Sequence, residues 1–102
     1  MDSTKNLGIT ELLSPHRDAI LRLAEAYRVT DIRVFGSVAR GEATDSSDID
    51  FLVNFPSDYK LRDHIHFTTD LSLLLGRQVD VVIEQNLRDE YRPYILMDVI
   101  PL

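Results

Sequence analysis

Residues 35–53 read FGSVARGEATDSSDIDFLV, and the fold follows from how this stretch is parsed. Gly36 ends one strand, which spans Thr30–Phe35 with Ile32 and Val34 on one face and Arg33 and Phe35 on the other. Ser37–Arg40 has the length of one helical turn, and Gly41–Ser47 is polar and loop-like. The next strand, Ile49–Phe55, alternates strictly. Ile49, Phe51, Val53 and Phe55 share a face that wants a core. Asp48, Asp50, Leu52 and Asn54 share the other, which opens with charge. Side chains two apart on a strand point the same way, so Asp48 and Asp50 lie about 7 Å apart on one side.

Working outward, Val79–Ile83 is a third, short strand with Val79, Val81 and Ile83 on one face. Asp80 on its other face is costly to bury in so apolar a run. That makes it a candidate third carboxylate beside Asp48 and Asp50. If Gly36 and Asp48 line one site, the first two strands run antiparallel. If Asp80 joins them, the second and third run parallel, and the apolar helical stripe over 59–75 supplies the crossover. Gly76 suits that helix's C-terminal end, with Arg77 near the negative end of its dipole. A first helix is expected over about 11–27, with Ser14-Pro15 as its start signal. Residues 1–9 read as a loose start. A last helix is expected over Asn86–Ile100, capped by Asn86 or Asp89, with Pro93 kinking it or marking its real start. The predicted class is α/β of the α+β type: a small mixed sheet of about three strands with helices packed on it, in one domain over 1–102.

Composition narrows the function. The chain has 102 residues, enough for one core, and a formal net charge of −6. That balance argues against broad nucleic-acid binding, which needs clustered Lys and Arg. It permits a nucleotide, because a divalent ion can bridge acidic groups and phosphates. The chain has no Cys, which excludes disulfides and thiolate metal sites. No apolar run approaches the ~20 residues of a membrane span, and Met1–Gly8 has no signal-like apolar core. A cytoplasmic location is the expectation.

The chemistry rests on residue types at this spacing. Asp48, Asp50 and Asp80 offer hard oxygen donors for metal. Gly36 allows close backbone approach, and Ser37 offers a hydroxyl and an N–H. Carboxylates holding hard cations beside such a turn point to phosphoryl or nucleotidyl transfer. His64 and His66, two apart on a helix, face about 200° apart and make a poor metal pair, and His16 reads as structural.

Gly36-Ser37, ten residues, then Asp48-x-Asp50, resembles the polymerase-beta-like nucleotidyltransferase superfamily. The fuller string GSVARGEATDSSDIDFLV, with the later GRQVDVVI, is similar to its minimal members, the MNT-type antitoxins paired with HEPN-domain toxins. The resemblance spans about residue 15 to 102. It implies that Gly36 and Ser37 hold the triphosphate of ATP, and that Asp48 and Asp50 bind two Mg²⁺ ions. It implies that Asp80 binds one ion and helps activate the attacking hydroxyl. Arg40 and Arg77 are phosphate-contact candidates, set against the plainer reading of surface arginines. The implied activity is transfer of AMP to a hydroxyl, a tyrosine, of a HEPN toxin, with a toxin hetero-oligomer as the assembly. Two other readings stand beside it: a binding-only antitoxin with a vestigial site, and a transferase acting on RNA or a small molecule. Tyr91–Leu102 carries more apolar residues than one core stripe needs, so it is either a sheet cover or a docking surface.

Overall fold

Strict alternation in three segments builds the sheet. A computed structural model describes residues 6–102, with a first helical turn α1 (Ile9–Leu12) and a helix α2 (Arg17–Ala26) ahead of strand β1 (Thr30–Phe35). A short helix α3 (Gly36–Ala39) and a loop lead to β2 (Ile49–Asn54). Helix α4 (Leu61–Leu75), β3 (Val79–Ile83), helix α5 (Arg92–Leu96) and β4 (Ile100–Pro101) follow. The sheet order is β3-β2-β1-β4. β1 and β2 are antiparallel, β2 and β3 parallel, and β4 is antiparallel to β1. The strand directions inferred from the placement of the aspartates therefore hold.

One face of the sheet is the core. Ile49, Phe51 and Val53 of β2 are fully buried, beside Val34 of β1 and Val79, Val81 and Ile83 of β3. Helices α2 and α4 cover them with Ile20, Ala24, Phe67 and Leu71. Phe67 meets Phe55 edge-on with ring centroids 5.8 Å apart, and Tyr27 at 5.5 Å. The Tyr27 hydroxyl donates to Asp70 on α4 at 2.6 Å, tying the two helices together. Lys60 N–H donates to Asp63 at the start of α4 (2.8 Å), and Gly76 ends it at φ 65°. Among the described residues no helix is long and apolar enough to cross a membrane.

Three expectations are corrected. The first helix is broken. Pro15 has no N–H to donate backwards, so Ser14–His16 forms a 3₁₀ turn and the regular helix begins at Arg17. The start is not loose from Leu7 onward, because Leu7 and Ala43 exchange backbone bonds of 2.8 and 3.0 Å. Residues 1–5 of that expectation lie outside the described residues.

The third correction is the last helix. It covers only Arg92–Leu96, with Pro93 in its first turn and neither Asn86 nor Asp89 as its cap. Ile100 then pairs with Val34 and Pro101 with Arg33, adding a fourth strand. The reason is in the sequence: a residue before proline is pushed out of the helical region, and Ile100 precedes Pro101. Pro is tolerated there because β4 is an edge.

Candidate active site

The opposite face of the sheet carries the chemistry. In register, Phe35 faces Asp50 and Asp50 faces Asp80, so one row crosses three strands. Parallel neighbours at the same level point to the same face, which puts the Asp50 and Asp80 carboxylates side by side. Asp48 is exposed in the loop one residue before β2. Burial, then the charges of Asp80 and Asp48, push the Asp50 carboxyl up to about 6 against the opposing pull of Arg40. Asp80 and Asp48 are thus both within electrostatic reach of Asp50, although Asp48 precedes the strand on which the alternation placed it.

Gly36 sits against this row with φ 76°. A Cβ added there would collide with Asp50 Oδ2 and stand 3.4 Å from its Cγ, so any side chain would drive into the carboxylate. Ser37 is half-buried in the following turn, and its carbonyl accepts the Glu42 N–H at 2.8 Å.

The two arginines divide. Arg40 donates to Asp98 at 2.8 Å and lies 3.4 Å from Glu42, and these partners raise its already high pKa. Its charge pulls the Asp50 carboxyl downward, against burial and the two other aspartates. Arg77 instead donates through Nη1 to the carbonyls of Thr44 and Ser47, at 2.8 and 2.9 Å. It pins the loop that presents Asp48.

Sequence reasoning missed Asp98, Arg33 and Glu84. Asp98 lies in a segment expected to be helical, so its approach to Arg40 had no local signal. Arg33 Nη2 and Glu84 Oε1 are 2.5 Å apart, and Arg92 adds a 3.6 Å contact to Glu84. The signal for Arg33 was a charge on the same strand face as Phe35. Arg33 pairs in register with Leu52, which is fully buried although it shares a face with Asp50. His64 is not free surface, since its Nε2 donates to the Val81 carbonyl at 2.8 Å. His66 is exposed, and His16 is half-buried in the 3₁₀ turn.

The donor set suits a hard divalent ion. The three aspartates offer only oxygen, and the mutual repulsion recorded at Asp50 is what a bound cation would relieve. Among the described residues no three His, Asp or Glu side chains are grouped closely enough to hold a metal ion together, so Asp48, Asp50 and Asp80 are not gathered into one three-carboxylate site. Mg²⁺ is commonly held by one or two carboxylates, with water and substrate phosphates completing its shell.

Paired carboxylates facing a glycine turn across a mixed sheet are machinery for phosphoryl-group chemistry. The nucleotidyltransferase domain model matches residues 16–101. The chain is 36% identical to the protein adenylyltransferase MntA of Thermococcus cleftensis, over 90% of both chains. A solved structure of a candidate minimal nucleotidyltransferase superposes with TM-score 0.80 at 43% identity, covering 90% of this chain and 94% of that one. A toxin–antitoxin crystal structure with AMP-PNP shares the fold, with TM-score 0.72 at 20% identity over 82% of this chain and 69% of that one. The chain belongs to the nucleotidyltransferase domain family, in its minimal polymerase-beta-like form. It is a nucleotidyltransferase enzyme.

Proposed function

We propose that the chain transfers AMP from ATP to a tyrosine hydroxyl of a cognate HEPN-domain toxin and thereby acts as its antitoxin. The observation that carries this reading is the register of Asp50 with Asp80 beside the Gly36 turn. The likeness to a protein adenylyltransferase supports a protein acceptor, and the fold shared with a toxin–antitoxin structure supports a toxin.

In this reading Gly36 and Ser37 receive the triphosphate at close range, because Gly36 has no side chain to hold it off. Asp48, Asp50 and Asp80 would hold two Mg²⁺ ions. When bound, such ions neutralise charge on the attacking and leaving oxygens. Arg40 exchanges Asp98 for a phosphate oxygen, and Arg77 keeps the Asp48 loop in place. The acceptor oxygen attacks the α-phosphorus, the bond to the pyrophosphate oxygen breaks, and pyrophosphate leaves. Asp80 takes the hydroxyl proton.

The test is intact-mass analysis of a HEPN-domain toxin after incubation with ATP, Mg²⁺ and a catalytic amount of the protein. The toxin is expected to gain about 329 Da per AMP on a tyrosine-containing peptide, with loss of toxicity. Label on RNA or a small molecule instead would overturn the acceptor. Protection that saturates at one-to-one and survives Asp80→Ala would favour docking alone.

A further inference from the structure

We propose that the groove between α4 and the outer edge of β3 receives the acceptor side chain, a tyrosine presented by the partner protein. The inference rests on the proposed transfer to a protein and adds where the acceptor enters and which residues meet it.

The order of strands gives the direction of approach. Gly36 closes β1, Asp50 lies on β2 and Asp80 on β3, at the sheet's edge. Displacement at phosphorus runs in line, with attacking and leaving oxygens on opposite sides. With the pyrophosphate held on the Gly36 side, the hydroxyl arrives from the β3 side. A cavity of about 320 Å³ lies there, lined by His64, Ile65, Thr68, Thr69, Asp80 and Val81. Asp80 is common to this groove and to the carboxylate row. Two other grooves, one between α2 and α4 and one beneath Tyr91, contain none of the three aspartates.

The lining selects the kind of occupant. Ile65 is 53% exposed and forms an apolar wall. The Thr68 and Thr69 hydroxyls donate to the carbonyls of His64 and Ile65, at 2.8 and 2.9 Å, so their protons are committed to the helix. His64 already donates to the Val81 carbonyl, an edge acceptor that an added strand would need. A side chain therefore fits this edge better than a strand. It needs an apolar body along Ile65 and a polar tip at Asp80, which describes a phenol. A serine or threonine would leave the Ile65 wall uncovered.

The test uses methyl NMR of the full chain saturated with Mg²⁺ and AMP-PNP, titrated with N-acetyl-tyrosinamide. Shifts are expected at the Ile65, Thr68 and Thr69 methyls, with Leu73 on the same helix unmoved and N-acetyl-serinamide inactive. Thr69→Arg, which fills the groove from an exposed position, is expected to raise the acceptor KM roughly tenfold while leaving the KM for ATP unchanged. Leu73→Ala is the control. Shifts confined to Tyr91–Ile100, or an unaltered acceptor KM in Thr69→Arg, would overturn the groove. If no protein receives AMP, the proposed function falls. The groove is then decided separately: no shift at Ile65 overturns it, and a shift there keeps it.

Discussion

The two faces of the sheet are made by the same three strands and obey opposite rules. On the core face, Ile49–Val79 and Phe51–Val81 pairs lie under α2 and α4 and are buried without a polar atom among them. On the other, Asp50 and Asp80 stand side by side, a pairing that destabilises the sheet when both are charged. Further along, the same face carries Arg33, Leu52 and Val82, with Arg33 paired to Glu84. The difference teaches that cost is concentrated where the chemistry is. The core face supplies the stability that lets two carboxylates sit as neighbours, and beside the Gly36 turn Arg40 only partly offsets their charge.

The sharpest way to break this contrast is Asp50→Asn. Transfer is expected to fall to background, because the proposed mechanism gives Asp50 a metal-binding role, while the metal-free protein becomes more stable. The sign follows from linkage. Asp50 titrates near 6 in the folded chain, above the ~3.9 of an unfolded aspartate. Between those values the folded state keeps a proton that the unfolded state has released. Stability is therefore lost as pH rises from about 4 to about 6, and the full cost persists above that. Melting curves without metal are expected to separate wild type from Asp50→Asn across this window and to converge below it. Curves that stay parallel at every pH would show that Asp50 carries no such cost.

On the core face the expected loss is in stability alone. Phe67→Ala removes a fully buried ring that meets both Phe55 and Tyr27, and about 3–5 kcal/mol is expected in urea denaturation. A loss below about 1 kcal/mol would mean that α4 collapses into the space, which the T-shaped Phe55 contact argues against. A smaller effect is expected at the neutralised end of the second face. Glu84→Ala strands the mostly buried Arg33, for about 1–3 kcal/mol, with transfer per folded molecule unchanged. Loss of transfer there would mean that the ion pair belongs to the active site.

The core strands were legible because period-two alternation is local: Val79–Ile83 is read with its observed bounds from its own residues. The direction of each strand was legible because aspartates have to converge. The break in the first helix was also written locally, in Pro15, but a Ser-Pro pair reads equally as a start and as an interruption. The fourth strand was hidden for a different reason. Two residues hold no period, and Ile100–Pro101 becomes a strand only through β1, some 70 residues earlier in the chain. Gly36, Asp48 and Asp50 share one short motif, and Asp80 stands out as the charge in an otherwise apolar strand. Asp98 reaches Arg40 across 58 positions, a contact that no spacing rule announces.

An open four-stranded sheet has two edges, and each invites another copy to continue the ladder. Here both are made unreceptive by unlike means. Pro101 has no N–H to donate, so the β4 side lacks a rung by covalent structure. On the β3 side, the imidazole of His64 occupies the Val81 carbonyl. The protein thus guards itself against edge-to-edge aggregation with one fixed device and one that a side-chain rotation can lift.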